Sequence, residues 1–273
     1  MADVVSLRKE ERTGLVRAER SGPVLRLTLD NPPANVLSIA LMEALGEALD
    51  AAAADEAVRV VVIASTGNLF SAGHDLKEMT AHRADPDGGR AFFEKTMRMA
   101  ADLMLKIAGL PQPVVAEIDG LATAAGCQLV ASCDLAICTD TSTFCTPGVN
   151  IGLFCSTPMV AVTRAAHPKQ AMEMLLTGET IDASTAKDFG LVNRIVPRQY
   201  LRQVVDKYTA VIASKSPQAL RIGKAAFRAQ AGLPLPEAYD RAVATMVDNM
   251  LVDDAKEGIG AFLGKRMPEW GKD

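Results

Sequence analysis

Gly120-Leu-Ala-Thr-Ala-Ala-Gly-Cys-Gln-Leu-Val-Ala-Ser-Cys-Asp134 comes just after the apolar run Val114-Val115-Ala116-Glu117-Ile118, and the change of pattern between them decides how the chain is read. Five small residues, Ala122 to Gly126, separate the run from a helical pattern at Leu129, Val130 and Ser132, which reads as strand, tight turn and buried helix start. The first N–H groups of a helix have no partner in their own chain and carry the positive end of its dipole. Side chains no larger than methyl allow a ligand oxygen to approach them, so the stretch suits an anion or a developing oxyanion. Small residues serve equally well for close packing of a helix on a strand, and on this stretch alone both readings stand.

A second stretch has the same construction. Residues 58–64, Val-Arg-Val-Val-Val-Ile-Ala, form a nearly continuous β-branched run, as a parallel strand buried on both faces requires. After it comes Ser65-Thr-Gly-Asn-Leu-Phe-Ser-Ala-Gly-His-Asp-Leu-Lys-Glu-Met79, again small residues beside a histidine, an aspartate and a lysine. Loops at the carboxyl ends of buried strands are where α/β folds bind ligands. Further strands are expected at 24–29, 113–118, 134–138 and 191–196, with helices at 38–54, 90–108 and 125–132. This alternation implies an α/β fold with parallel pairing. From about Arg198 the pattern is helical only, at 198–213, 217–230, 235–251 and 254–265, broken at Ser216-Pro217 and Gly232-Leu-Pro-Leu-Pro236.

The two loops, in this order and spacing, strongly resemble those of the crotonase family, the enoyl-CoA hydratase/isomerase superfamily. The resemblance extends to Asp30-Asn-Pro-Pro-Ala-Asn-Val-Leu-Ser38, Asp134-Leu-Ala-Ile137, Thr146-Pro147, Leu176-Thr-Gly-Glu179 and Gly190-Leu-Val-Asn-Arg-Ile-Val196. It implies a spiral of ββα turns over residues 1–200, binding a coenzyme A thioester. Residues 201–273 would form a C-terminal helical region that packs against neighbouring subunits of a homotrimer or dimer of trimers. It also implies that the amides of His74 and Ala125 donate to the thioester oxygen. Contacts to the coenzyme would come from Ala34, Val36, Ala72, Asp75, Leu76, Lys77, Gly120, Ala122, Pro147 and Lys265, the last paired with Arg266. Coenzyme A enters as part of the substrate, and no permanently bound cofactor or metal is implied.

The same resemblance exposes a gap. The family's hydratases use two glutamates, and matched residue by residue their positions here are Gln128 and Gly148, neither of which exchanges a proton near neutral pH. A positioned acid or base contributes roughly 10²–10⁴-fold and an oxyanion donor roughly 10²–10³-fold. Hydratase activity is therefore expected to be weak or absent while thioester binding survives; the isomerase reading is weakened by the same gap. His74 is the best substitute by titration range, although a residue donating its amide into a pocket often points its side chain away. Asp75 is expected to brace its loop or cap the following turn. Gln128 and Asn150 can hold water but not deprotonate it, and Ser156 suits a solvent contact or a helix N-cap.

Composition agrees. At 273 residues and 49% hydrophobic content the chain can bury one large core, and no apolar run reaches membrane length. A net charge of -4 provides no basic patch for nucleic acid. The N-terminal stretch Met1 to Arg12 has no apolar core for a secretory signal and carries acids that transit peptides avoid, so a cytoplasmic protein is expected. The five cysteines, all between Cys127 and Cys155, show no CxxC pair and read as buried reduced thiols. Cys145 and Cys155 flank the expected acyl pocket, where a nucleophile would need His74 as its base.

Three functions remain open: a crotonase-fold enzyme on acyl-CoA with weak or different chemistry in fatty acid metabolism, nominally a lyase; a non-catalytic thioester binder or assembly subunit; and a thioester hydrolase or decarboxylase.

Overall fold

Residues 10–271 are described by a computed structural model, in which strands and helices alternate from β1 to α11. Strands β1 (Glu10–Thr13), β2 (Val16–Ser21) and β3 (Val24–Leu29) form an antiparallel meander, and α1 (Ile39–Ala54) carries the chain to β4 (Val60–Ser65), parallel to β3. The next element, β5 (Leu69–Ser71), turns off into a second sheet and leads to α2 (Leu76–Ala81) and α3 (Arg90–Gly109). The pattern repeats as β6 (Val114–Ile118), β7 (Leu121–Thr123) and α4 (Ala125–Ser132), then as β8 (Leu135–Thr139), β9 (Thr143–Cys145) and α5 (Ser156–Ala165). There follow α6 (Pro168–Thr177), β10 (Ile181–Asp182), α7 (Ala183–Asp188), β11 (Arg194–Val196), α8 (Leu201–Ala213), α9 (Pro217–Gln230), α10 (Leu235–Leu251) and α11 (Asp253–Leu263).

The large sheet has the order β1-β2-β3-β4-β6-β8-β11 and the small one β10-β9-β7-β5. Three successive turns, β4-β5, β6-β7 and β8-β9, thus place one strand in the large sheet and the next in the small sheet before a helix follows. This is the α/β spiral of ββα turns expected from the sequence.

The β-branched run explains the layering. Val61 and Ile63 point into the main core with α1 and α3, whereas Val60 and Val62 point the other way, against Leu201, Val205 and Ala213 of α8. All four valine and isoleucine side chains are fully buried, and each contributes about 1.5–3 kcal/mol by leaving water. On the α8 side Arg26 pairs with Glu117 and Asp206, so the charge within that layer is compensated. Helix α9 is tied down by Lys224, whose Nζ donates to the carbonyls of Ile107 and Gln112 and pairs with Asp134 at 2.6 Å. Burial lowers the Lys224 pKa, and Asp134 opposes the shift.

Several expected boundaries move. The strand expected at 191–196 begins only at Arg194, because Asn193 pairs with Ala136 through its side-chain oxygen as well as its amide. Residues 198–200 form a separate 3₁₀ turn ahead of α8, and the last helix ends at Leu263, before Lys265 takes a left-handed φ of 53°. Of the N-terminal residues read for a targeting signal, 1–9 lie outside the described residues. No described helix is long and apolar enough to cross a membrane.

Candidate functional site

The two loops singled out in the sequence leave β5 and β7, parallel neighbours in the small sheet. They do not leave the long strands directly, as the sequence reading had it. A three-residue strand intervenes in each case, too short for period-two alternation to register. Backbone packs on backbone here. A Cβ on Gly120 would lie 2.0 Å from the Asn68 carbonyl oxygen, and one on Gly126 would lie 2.3 Å from that of Ser71. Small-residue packing and an anion site were alternatives in the sequence; the close packing is present, and it is what brings the loops together.

At the meeting point, Gly73 has a φ of 81°, and a Cβ there would sit 3.0 Å from both the Ala125 nitrogen and the Ala124 Cβ. The peptide leading into His74 therefore lies beside the amide of Ala125. Its orientation is held by the Leu37 N–H, which donates to the Gly73 carbonyl at 2.7 Å. Ala124 donates to the Cys145 carbonyl and accepts from the Gln128 amide, at 3.0 Å each, and Ala125 is the first residue of α4. Neither the His74 nor the Ala125 amide has an acceptor among the described residues.

The neighbouring positions have distinct roles. Asp75 caps α2, accepting from the amides of Lys77 and Glu78 at 2.9 and 3.2 Å, as expected. Leu76 and Lys77 on that helix are exposed. The Ala34 carbonyl accepts from the Ala72 amide at 2.9 Å, and the Val36 carbonyl accepts from the Asn31 carboxamide at 2.9 Å, joining the early turn to the first loop. The Gly120 carbonyl accepts from Thr143, Ala122 is buried between the small-sheet strands, and Pro147 opens a 3₁₀ turn, Pro147–Ile151. Lys265 is exposed beyond α11, which packs on α9 and α10. Its neighbour Arg266 is engaged by Glu257 at 2.5 Å.

The His74 imidazole has its ring nitrogens buried and without hydrogen-bond partners. Burial lowers its pKa below the ordinary histidine value, and the nearby Leu37 carbonyl opposes the shift. Gln128, one turn into α4, is 3% exposed, and its Oε1 is likewise without a partner. Gly148 is closely packed: a Cβ there would sit 3.0 Å from both Cys155 Sγ and the Leu153 carbonyl oxygen, so a side chain requires those neighbours to give by a few tenths of an ångström. Asn150 is exposed. Ser156 does not cap α5: Cys155 occupies the cap position, and the Ser156 hydroxyl donates to the Phe154 carbonyl.

The thiols are free, as expected. Burial raises the pKa of Cys127, Cys133 and Cys155 and pushes that of Cys138 up to about 12. Cys145 donates to the Thr123 hydroxyl at 3.1 Å. A thiol whose pKa is raised is a poor nucleophile at neutral pH, which argues against Cys155 in that role. Three residues escaped the sequence reading: Asn35 and Ser71, which anchor the first loop, and Ala124, whose φ of 50° is rare outside glycine. The signal for Asn35 was available, because asparagine after Pro-Pro-Ala is a residue that tolerates left-handed backbone.

Residues 19–273 match the family model described as enoyl-CoA hydratase/isomerase. The chain is 42% identical over 262 residues to the enoyl-CoA hydratase domain-containing protein 3, mitochondrial, of Rattus norvegicus, covering 96% of this chain and 86% of that one. It is 31% identical to the carnitinyl-CoA dehydratase of Citrobacter koseri, over 92% of this chain and 96% of that one. Among solved structures, an enoyl-CoA hydratase of Mycobacterium smegmatis superposes with a TM-score of 0.89 at 47% identity, covering 94% of this chain and 99% of the other. Human enoyl coenzyme A hydratase domain-containing protein 3 does so with 0.89 at 41%, covering 94% and 100%. The names of the rat and human relatives carry the word mitochondrial, which does not match the cytoplasmic placement expected from the sequence. This chain belongs to the enoyl-CoA hydratase/isomerase family.

Proposed function

We propose that this protein binds coenzyme A thioesters with the thioester oxygen between the amides of His74 and Ala125, and that it hydrates a bound enoyl group slowly or not at all. The observation that supports the reading is the close approach of the Gly73 backbone to Ala125, where a Cβ on Gly73 would sit 3.0 Å from the Ala125 nitrogen, next to two amides without acceptors among the described residues. Two such donors polarise a thioester carbonyl and stabilise the enolate that follows. The missing half is proton transfer, because a carboxamide at 128 and a glycine at 148 offer no acid or base. Relatives named for enoyl-CoA and carnitinyl-CoA chemistry support the ligand class.

Calorimetric titration with crotonyl-CoA and with free CoA, followed by a steady-state hydration assay, tests the reading. Crotonyl-CoA should bind more tightly than CoA and turn over well below the ~10 s⁻¹ typical of enzymes. Turnover at that level would overturn the slow-hydration part and direct attention to His74. The second reading, a thioester binder without chemistry, is favoured by Gln128 and Gly148 and predicts no product at all.

The same proposal assigns Lys77 and Lys265 to the coenzyme and residues 201–273 to subunit packing in a homotrimer. Apolar side chains left exposed on α10 and α11, among them Tyr239, Val243, Met246, Met250 and Phe262, support the assembly, and analytical ultracentrifugation tests it. Cytoplasmic residence also belongs to this reading, with cell fractionation as its test.

A further inference from the structure

Helix α4 is short, about 12 Å from end to end, and of its residues only Ala131 is not buried. A rod so enclosed in close packing shifts as one piece, so the position of Ala125 at its start depends on what fixes its far end. At that end the Ser132 hydroxyl and the Cys133 thiol donate back to the carbonyls of Gln128 and Leu129, at 2.8 and 3.3 Å. The Ser132 carbonyl accepts from the Arg228 guanidinium of α9 at 3.4 Å, which puts a cation at the negative end of the helix dipole. Arg228 also pairs with Asp134 at 2.9 Å. Lys224, one turn earlier on the same face of α9, pairs with the same carboxylate at 2.6 Å. Asp134 in turn accepts from the Val114 amide at the start of β6, at 2.8 Å. No residue of α9 is fully buried, and these two cations are its polar tie to the end of α4.

We propose that Lys224 and Arg228 are positioning residues: through Asp134 and the Ser132 carbonyl, α9 sets the axial position of α4 and with it the Ala125 amide. The inference rests on the thioester reading above and gives α9 a role apart from subunit packing. Neither cation touches the ligand. Their effect falls on the placement of one donor to the thioester oxygen, and a displaced donor weakens thioester binding while contacts to the rest of the coenzyme persist. The linkage is reciprocal, so a ligand engaged at Ala125 also tightens the seating of α9.

Calorimetric titration of the full-length protein with crotonyl-CoA and with free CoA, in the wild type, Arg228→Ala and Arg228→Lys, tests this. Arg228→Ala should lose about tenfold in affinity for crotonyl-CoA and no more than about twofold for CoA. Arg228→Lys should recover part of the loss, because it keeps the charge at the helix end. Lys224→Met should show the same selective loss, and Arg228→Gln serves if the alanine variant folds poorly. Amide hydrogen exchange supplies a second readout: crotonyl-CoA, but not CoA, should slow exchange across residues 217–230 in the wild type and not in Arg228→Ala. Full discrimination between the two ligands in the arginine variants overturns the inference, as does exchange in α9 that is indifferent to the thioester. An equal loss of both ligands means a merely structural role and overturns it as well. In each of these cases a wild-type preference for crotonyl-CoA leaves the thioester reading intact, whereas a wild type without that preference removes both.

Discussion

The backbone carbonyl of Asn35 accepts a hydrogen bond from the Ser71 hydroxyl at 2.8 Å, and the same oxygen of Ser71 accepts from the Gly73 amide at 3.3 Å. Asn35 is 1% exposed, and its carboxamide donates to the carbonyls of Thr66 and Leu69, both at 2.8 Å, while accepting from the Asn31 amide at 2.9 Å. One asparagine thus ties the turn before α1 to both ends of β5 and, through Ser71, to the peptide that presents the His74 amide.

Asn35→Ala should cost about 3 kcal/mol in urea unfolding, because two half-buried carbonyls lose their donor. Ser71→Ala should leave the fold in place but reduce the preference for acyl-CoA over free CoA severalfold by calorimetry. A Ser71→Ala protein that keeps the full preference would show that this relay does not set the amide.

Ala124 has φ 50° and ψ −118°. A residue with a Cβ is strained there by about 1–3 kcal/mol, while glycine adds about 0.5–1 kcal/mol of unfolded-state entropy to be lost on folding. Ala124→Gly is therefore expected to raise stability by about 1 kcal/mol, read from the denaturation midpoint. A loss of stability would mean that the Ala124 methyl gains more from contact with Gly73 than the backbone loses.

A side chain at position 148 meets close packing. Both Gly148→Ala and Gly148→Glu push a Cβ to 3.0 Å from the Leu153 carbonyl, and each should lower stability by about 1–3 kcal/mol. Gln128→Glu changes shape little and should raise crotonyl-CoA hydration above the wild-type rate, since it returns one proton-transfer group. A Gly148→Glu protein as stable as the wild type would count against the tight packing around Cys155.

The lowered His74 pKa makes stability depend on pH with a definite sign. Its folded value lies below the ordinary 6.5, so the unfolded chain binds the proton more readily. The contribution is complete above pH 6.5 and is lost as pH falls through the folded value. Melting temperatures at pH 7.5 and 5.0 should differ less in His74→Asn than in the wild type. An identical difference in both proteins would place the acid-sensitive group elsewhere.

Long elements were legible because burial imposes a period that many residues share. The run at 58–64 declared a strand buried on both faces, and Val60 to Ile63 do alternate between the two cores. The 198–213 and 217–230 patterns likewise became α8 and α9, with a 3₁₀ turn split from the first. The small sheet was not legible. Strands β5, β7, β9 and β10 have two or three residues each, and their edges are set by pairing with one another. Ser156 as a helix cap failed for a similar reason: one residue of shift in the start of α5 moved it inside the helix.

From residues alone came the strand–turn–helix character of 114–132 and the two small-residue loops, the first of them carrying a histidine and an aspartate. All of these are local, carried by side-chain size, periodicity and proton chemistry. Tertiary structure decided that the Gly73 backbone approaches Ala125, that Asn35 and Ser71 hold the first loop, and that Cys155 and Leu153 pack closely around Gly148. These contacts join segments far apart in sequence, and their distances depend on how the sheets and helices pack, which no local pattern encodes.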